Sequence, residues 1–187
     1  MRVIAGEARH LPLKAVPGDS TRPTTDRIKE TLFNILHRDL PGTVFVDLFA
    51  GSGGIGIEAL SRGAAEAWFV DNSAAAVAVI NENLRFTRLF PRAKVLRADA
   101  AAAVDRLEAK GVRADFIFMD PPYGAGAEPA VLDRLARSSV VTPETVVICE
   151  TALHRDLSFL EDAGFAVTRV KEYKTNQHVF AVRKGEA

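Results

Sequence analysis

Short β-rich runs alternate with alanine-rich helical segments between residues 43 and 150, and this alternation restricts the possible folds more than any other feature of the chain. The β-rich runs are TVFVD, AEAWFVD, AKVLRAD, ADFIFMD and ETVVICE. Helical candidates lie near residues 54–62, 73–86, 100–110 and 127–137. Strands that alternate with helices of this length form βαβ units. The sequence therefore predicts an α/β fold, a Rossmann-like doubly wound domain with a seven-stranded, mostly parallel sheet.

The two ends of the chain depart from this alternation. The tail FAVTRVKEYKTNQHVFAVRK has no helix between its β-rich stretches, so it predicts two strands that meet near residues 174–177 and an antiparallel C-terminal strand. Residues 2–16 alternate apolar and polar side chains, which predicts a short N-terminal β-hairpin arm. We therefore place the arm at residues 1–20 and the main domain at residues 21–187.

A helix is predicted between the arm and the first strand. Thr25 or Asp26 can cap its N-terminus, and Pro41 with Gly42 stops the chain from continuing as a helix. Apolar residues at helical spacing form its predicted stripe, which comprises Ile28, Leu32, Phe33, Ile35 and Leu36.

The composition is typical of a globular protein without a membrane segment. The 187 residues are 48% hydrophobic and 26% charged, and no apolar run approaches the roughly 20 residues that a membrane helix needs. The charged, alternating N-terminus is unlike a secretory signal. The single cysteine, Cys149, lies in an apolar run, which favours a buried strand thiol over a nucleophile. Together these features predict a cytoplasmic protein.

Basic residues are concentrated in two stretches, although the formal net charge is zero, with 24 basic and 24 acidic residues. Residues 85–97 contain five basic residues and no acid, and residues 169–184 contain five against Glu172 alone. Overall neutrality gives no support to nucleic-acid binding, which usually needs a basic surface. The two stretches are either local phosphate-binding faces or solvated ends of helices and strands.

An acid ends each of the five β-rich runs. The carboxyl ends of parallel strands meet at one edge of a sheet, and ligands bind in the crevice outside that edge. A single acid in such a position is usually a helix cap or a turn former. Five acids in register instead predict a ligand cleft lined by carboxylates, namely Asp47, Asp71, Asp99, Asp120 and Glu150.

The loop after the first run matches G-x-G-x-x-G through Gly51, Gly53 and Gly56, and Asp71 follows Gly51 by 20 residues. This spacing satisfies the fingerprint of a dinucleotide site, but S-adenosylmethionine also places its ribose against an acid after the second strand. Asp47 favours the second ligand. Its carboxylate would repel a pyrophosphate by about 4 kcal/mol at close range and intermediate dielectric, whereas it would attract the ammonium of a methionine moiety. Asp99 could accept a hydrogen bond from the adenine amine.

The fourth run ends in DPPY, an acid followed by two prolines and a tyrosine. Proline cannot donate to a sheet ladder, so the strand stops near Asp120 in a stiff projection. The carboxylate of Asp120 and the carbonyl of Pro121 can accept hydrogen bonds from a planar amine, while Pro122 stiffens the turn and Tyr123 stacks on the ring. Acceptors on an exocyclic base amine support the positive charge that grows on nitrogen during methyl transfer. The four histidines are scattered without ligand spacing, so we predict no metal site.

Three segments together carry a family resemblance that covers nearly the whole chain. They are RPTTDRIKETLFNIL (22–36), VDLFAGSGGIGIEALSRGA (46–64) and DPPY (120–123). The chain resembles the class I S-adenosylmethionine-dependent methyltransferases and, more narrowly, the RsmD-like family of bacterial 16S ribosomal RNA guanine-N2 methyltransferases. DNA amino-methyltransferases that act on adenine N6 or cytosine N4 share DPPY, so a DNA substrate is the alternative.

The resemblance implies a cofactor, a target and a set of site residues. S-adenosylmethionine would be bound by Asp47, Phe49, Gly51, Gly53, Asp71, Asn72, Asp99 and Ala100. The target would be the N2 amine of a guanine in 16S rRNA, within a small-subunit particle, and Arg2, Arg9, Lys14 and Arg22 would contact the RNA. Two places depart from the family pattern. The arm reads IAGEARHLPL where the family has a Gly-Gly pair and an RGR-like cluster, and Tyr173-Lys174 replaces a Tyr-Gly pair.

Overall fold

The computed structural model describes residues 1–17, 25–121 and 127–185. Seven strands form one sheet in the order β3-β2-β1-β4-β5-β7-β6, in which β7 runs antiparallel to both of its neighbours. This confirms the predicted seven-stranded, mostly parallel sheet with an antiparallel C-terminal strand. The chain divides into two compact units, Met1–Asp99 and Ala100–Ala187.

The first unit holds the first three strands. Its elements are α1 (Asp26–Leu36), β1 (Val44–Asp47), α2 (Gly54–Ser61), β2 (Glu66–Asp71), α3 (Ala74–Phe86), a 3-10 turn (Phe90–Arg92) and β3 (Ala93–Arg97). Strand β2 pairs in parallel with β1 and with β3. Of the two predicted caps of α1, the structure selects Thr25, whose side chain accepts a hydrogen bond from the backbone N–H of Ile28. A Cβ on Gly56 would lie 2.4 Å from the Phe69 ring, so this glycine allows α2 to pack closely on β2.

The predicted N-terminal β-hairpin is wrong, because residues 1–17 contain no β-strand and only one antiparallel bridge, between Arg2 and Pro12. The backbone N–H groups of Ile4 and Ala5 instead donate to the Glu58 carboxylate, at 2.8 and 3.0 Å. These donors are therefore not available to a strand ladder. The predicted division at residue 20 lies outside the described residues and stays a prediction.

Helix α2 is the surface on which the arm folds. The N–H of Glu7 donates to the carbonyl of Ser61 at 2.9 Å, and the Ser61 hydroxyl donates to the carbonyl of Ala5. Gly6 has φ +85°, and a Cβ there would lie 1.8 Å from the Ser61 carbonyl oxygen. The arm can approach α2 this closely only because residue 6 is a glycine.

The second unit holds the other four strands. Its elements are α4 (Ala100–Ala109), β4 (Ala114–Met119), α5 (Ala127–Arg137), β5 (Val141–Ala152), α6 (Ser158–Asp162), β6 (Phe165–Glu172) and β7 (Asn176–Arg183). Cys149 is buried in β5 as predicted, and burial raises the pKa of its thiol to about 12. Helix α6 was not predicted, since five residues are too few for a recognisable helical period. No helix among the described residues is long and apolar enough to cross a bilayer.

The sequence predicts that strand β5 ends at Glu150, but the strand is longer than that. It continues to Ala152, because Thr151 and Ala152 pair with Gln177 and Asn176 of β7. Strand β3 likewise ends at Arg97, two residues before Asp99. The acids thus follow the strands less uniformly than the sequence suggests.

Candidate active site

The glycine loop, residues 48–53, connects β1 to α2 in a backbone conformation that needs glycine. Gly51 has φ +53° and Gly53, the N-cap of α2, has φ +82°, which is the left-handed region that other residues rarely adopt. The N–H of Ala50 donates to the carbonyl of Val70 at 2.9 Å. Apart from Gly51 and its two chain neighbours, no described residue has a heavy atom within 4 Å of the position that a Cβ on Gly51 would occupy. The loop is therefore anchored to β2 and leaves open space at Gly51.

Asp47, the last residue of β1, is a buried carboxyl with an unused acceptor. Its Oδ2 accepts a hydrogen bond from the N–H of Gly56 at 3.3 Å, while its buried Oδ1 has no hydrogen-bond partner among the described residues. Burial raises the pKa of Asp47 to about 7, although backbone hydrogen bonds from Gly56 and Phe49 act to lower it. The negative charge of Asp71 acts in the same direction as burial. A cation beside Oδ1 would satisfy this oxygen and stabilise the ionised form. This observation fits the predicted ammonium of S-adenosylmethionine.

Asp71, the last residue of β2, ties the glycine loop to the start of α3. Its Oδ2 accepts from the N–H of Gly51 at 2.9 Å, and its Oδ1 accepts from the N–H of Ser73 at 2.8 Å. Ser73 in turn caps α3 by accepting from the N–H of Ala76. The sequence did not predict that Asp71 accepts these two backbone hydrogen bonds. Each carboxylate oxygen has a second lone pair, so Asp71 could still accept from a ribose hydroxyl.

The remaining predicted cofactor residues follow β2 and β3. Asn72 is exposed beside Asp71, and its carbonyl accepts a hydrogen bond from Arg97 at 3.4 Å. The N–H of Ala98 donates to the carbonyl of Asp71 at 3.1 Å, which brings the segment after β3 next to the end of β2. Asp99 is exposed, and Ala100 is buried as the first residue of α4. The first unit thus brings Asp47, the glycine loop, Asp71 and the residues before Asp99 together.

In the second unit, Asp120 and Pro121 directly follow β4, as predicted. Met119 pairs with Cys149 in the parallel register of β4 and β5, so the next residues along each strand, Asp120 and Glu150, are neighbours. Asp120 is half-buried and Pro121 is buried. Pro122 and Tyr123 lie outside the described residues, and their roles stay predictions.

A buried polar chain beside these residues was not found from the sequence. Glu150 Oε2 lies 2.9 Å from His178 Nε2, and His178 Nδ1 lies 3.1 Å from the Tyr173 hydroxyl. Asn176 donates to the other Glu150 oxygen. Burial, together with the charge of Glu150, raises the pKa of Tyr173 to about 12. In the sequence, only the position of Glu150 at a strand end pointed to this series of hydrogen-bonded side chains, because Asn176 and His178 are more than twenty residues away from Glu150.

Tyr173-Lys174, which replaces the Tyr-Gly pair of the family pattern, fits its turn without backbone strain. The N–H of Tyr173 donates to the carbonyl of Asn176 at 2.9 Å and closes the turn between β6 and β7. Among the described residues other than glycine, positive φ occurs at His10, Arg88 and His154, and not at Lys174. A lysine can therefore stand at this turn in place of glycine.

The cations predicted to contact RNA differ in their surroundings. Arg2 and Lys14 already form exposed ion pairs, with Asp26 at 2.8 Å and with Glu82 at 2.6 Å. Arg9 is exposed, and Arg22 lies outside the described residues. Within the described ranges, no group of three or more His, Cys, Asp or Glu side chains is arranged to hold a metal ion.

The strand order, the glycine loop after β1 and the acids that end β1 and β2 define a class I S-adenosylmethionine-dependent methyltransferase. The chain belongs to the family described as conserved hypothetical protein 95, whose model matches residues 1–183. The predicted RsmD-like family is therefore confirmed. S-adenosylmethionine is the methyl donor that this class implies.

Two relatives and one solved structure illustrate the similarity. The Bacillus subtilis "Putative rRNA methyltransferase YlbH" is 38% identical over 172 residues, which is 92% of each chain. The Escherichia coli K12 "Ribosomal RNA small subunit methyltransferase D" is 34% identical over 84% of this chain and 77% of its own. The solved structure "Putative methyltransferase yhhF from Escherichia coli" superimposes with a TM-score of 0.83 at 30% identity, covering 100% of this chain and 99% of its own.

Proposed function

We propose that the protein transfers a methyl group from S-adenosylmethionine to the exocyclic N2 amine of a guanine in 16S rRNA. The observation that carries the proposal is the position of Asp120-Pro121 directly after β4, in a family with relatives named as rRNA methyltransferases. An acid followed by proline at this place suits an amine on a planar base.

The cofactor would be held by residues that end or follow β1, β2 and β3. Asp47 would accept a hydrogen bond from the ammonium through its unpartnered Oδ1, and Gly51 and Gly53 would let the loop backbone approach the methionine end. Phe49 would pack against the cofactor. Asp71 and Asn72 would bind the ribose, and Asp99 and Ala100 the adenine. When bound, the cofactor supplies an electrophilic methyl group on a sulfonium.

Asp120 and Pro121 would orient and activate the acceptor. Their carboxylate and carbonyl oxygens accept hydrogen bonds from the two N–H groups of the guanine amine, which points its lone pair away from them. As nitrogen gains positive charge, these acceptors stabilise it, and Asp120 can take the proton that nitrogen releases. Pro122 would keep the turn stiff, and Tyr123 would stack on the base.

The RNA would approach as a single-stranded or loop segment, since a stacked guanine must be turned out of its helix to reach Asp120. Arg2, Arg9, Lys14 and Arg22 would contact phosphates. Because Arg2 and Lys14 are paired with acids in the free protein, these contacts would require an exchange of exposed ion pairs, which are weak in water. The net charge of zero suits recognition of a shaped small-subunit particle better than sliding along naked duplex.

The test is methyl transfer from labelled S-adenosylmethionine into small ribosomal subunits that lack the modification, followed by mass spectrometry of the nucleosides. N2-methylguanosine is the expected product. Label in adenine N6 or cytosine N4 of DNA would establish the alternative DNA amino-methyltransferase and overturn the RNA assignment. The Asp133→Ala variant serves as the matched control for Asp120→Ala, because Asp133 lies in the same unit and forms an exposed ion pair with Arg137.

A further inference from the structure

We propose that a groove between the N-terminal arm and the end of α3 binds a single-stranded segment of the RNA substrate. Bases would stack on Phe86 and Phe90, and phosphates would pair with Arg85 and Arg88. The inference rests on the proposed RNA substrate. It adds a docking surface separate from the residues assigned to the cofactor and to the target base.

The groove lies within the first unit and has a volume of about 550 Å³. Pro12, Leu13 and Phe86 form its apolar wall, and Lys14 and Arg85 are the cations that line it. A nucleotide complements this surface, because its base has an apolar ring face that can contact the apolar wall and its phosphate is an anion that a cation can bind. The size and chemistry of the groove therefore suit one or two nucleotides.

Two phenylalanine rings at this place are exposed to solvent. Phe86 is 54% exposed and Phe90 is 42% exposed, and the guanidinium carbon of Arg85 lies 5.2 Å from the centre of the Phe90 ring. Exposed aromatic groups beside cations are the platform on which single-stranded nucleic acids stack, because every base offers a π face whatever its sequence. Neighbouring exposed apolar side chains commonly mark an interaction site.

The turn that presents these rings is fixed by backbone hydrogen bonds. The N–H of Leu89 donates to the carbonyl of Leu84 at 3.0 Å, and the N–H of Arg88 donates to the carbonyl of Arg85 at 3.1 Å. This pattern usually has a glycine at the position of Arg88, which has φ +62°. An exposed arginine therefore stands where glycine would fit the backbone better, two residues from Phe86 and from Phe90.

Charge favours a polyanion as the occupant. Residues 85–97 contain five basic residues and no acid. Glu82 of α3 also lines the groove and pairs there with Lys14; this contact lowers the pKa of Glu82, with a smaller effect of Arg85. Glu7 pairs with Arg92. Among the described residues, no salt bridge is recorded for Arg85 or Arg88, so the groove keeps positive charge at its edge.

The groove also adjoins the glycine loop. Asn83, which lines the groove, donates to the carbonyl of Ser52 at 2.9 Å, and its Oδ1 accepts from the N–H of Lys14 at 2.9 Å. One side chain thus connects the arm, α3 and the loop. An RNA segment in the groove would lie beside the loop that we assign to the cofactor, as expected for nucleotides that flank the target base.

The inference is tested by binding of a fluorescein-labelled single-stranded RNA oligonucleotide, measured by anisotropy for three variants. Phe86→Ala should raise the Kd by about fivefold or more, the low end for loss of one base–aromatic stack. Phe86→Tyr, which keeps a ring, should bind like the wild type. Arg88→Gly should preserve the turn yet weaken binding and reduce the slope of log Kd against log salt by about one. All three should keep the wild-type affinity for S-adenosylmethionine.

Equal RNA affinity of Phe86→Ala and the wild type would overturn the inference. A change of sedimentation on Phe86→Ala with no change in RNA affinity would also overturn it, since the groove would then bind a second copy of the chain. Methylation of small subunits by Phe86→Ala with an unchanged KM would remove the inference and leave the proposed function intact. If the wild type binds the oligonucleotide through Phe86 but methylates no RNA, the proposed function is overturned and the inference about the groove stands.

Discussion

Lys29 Nζ lies 3.3 Å from Glu58 Oε2, and both side chains are almost completely excluded from solvent, at 1% and 0% exposure. Lys29 also donates to the carbonyl of Arg2. Glu58 accepts from Arg62 at 2.7 Å in addition to the arm N–H groups. Burial lowers the pKa of Lys29, more than its attraction to Glu58 raises it. This pair joins α1, α2 and the arm at one point.

We predict that Glu58→Gln destabilises the protein by about 3–5 kcal/mol, because it leaves Lys29 buried without its counter-ion. Lys29→Met should cost less, since Glu58 keeps its hydrogen bonds from Arg62, Ile4 and Ala5. Urea denaturation of the two variants measures the difference. A larger loss for Lys29→Met than for Glu58→Gln would contradict this account.

The second prediction concerns the pH dependence of stability. The pKa of Asp47 in the folded protein is about 7, above its ordinary value of 3.8, so the folded state binds more protons between these pH values. The contribution of Asp47 to stability is therefore greatest below about pH 4, falls as the pH rises and is lost above about pH 7. Asp47→Asn should remove this decline, so its stability relative to the wild type should increase with pH across the window. Denaturant titrations at several pH values test this, and parallel curves for the two proteins would refute it.

The third prediction concerns cofactor affinity. If Asp47 binds the ammonium of S-adenosylmethionine, binding requires its ionised form. Affinity should then rise as the pH increases towards about 7, with release of a proton on binding. Calorimetry in buffers of different ionisation enthalpy detects that proton. Asp47→Asn should bind weakly and release none; proton release by this variant would assign the titration to another group.

The fourth prediction separates two roles of Asp71. Asp71→Ala removes the acceptor for the N–H groups of Gly51 and Ser73, so it should lower stability by about 1–3 kcal/mol and weaken cofactor binding at least tenfold. Asp99→Ala, at an exposed position after β3, is the comparison at another acid assigned to the cofactor. Thermal unfolding and calorimetry give the two quantities. A purely catalytic defect in Asp71→Ala would count against the ribose assignment.

The fifth prediction concerns Asp120. Asp120→Ala should reduce turnover by about a hundredfold or more, the usual effect of losing one preorganised hydrogen-bonding group, while S-adenosylmethionine still binds. Tyr123→Ala should mainly raise KM for the RNA. Single-turnover methylation with saturating cofactor measures both, and Asp133→Ala should behave as the wild type. Full activity of Asp120→Ala would disprove the mechanism.

The sequence by itself determined the alternating strands and helices, the glycine loop, the start of α1 near Thr25 and Asp26, and the two antiparallel strands of the tail. These features depend on periodicity and on the backbone preferences of glycine and proline, which act over a few residues. Of the predicted strand-end acids, Asp47 and Asp71 end β1 and β2 and Asp120 directly follows β4, whereas β3 ends before Asp99 and β5 continues past Glu150. Asp47 was singled out before its buried, unpartnered oxygen was seen.

Only the tertiary structure decided where the polar groups find partners. The arm alternates like a hairpin, yet the N–H groups of Ile4 and Ala5 bind Glu58, which is more than fifty residues away in sequence. Lys29 is a charged residue on the same face of α1 as the buried Leu32, Phe33 and Leu36, and Glu58 and the carbonyl of Arg2 stabilise it inside the protein. His178 looked isolated until the pairing of β5 with β7 placed it against Glu150. A charged or polar side chain can be buried only where a partner compensates for lost water, and that partner is set by packing between distant segments.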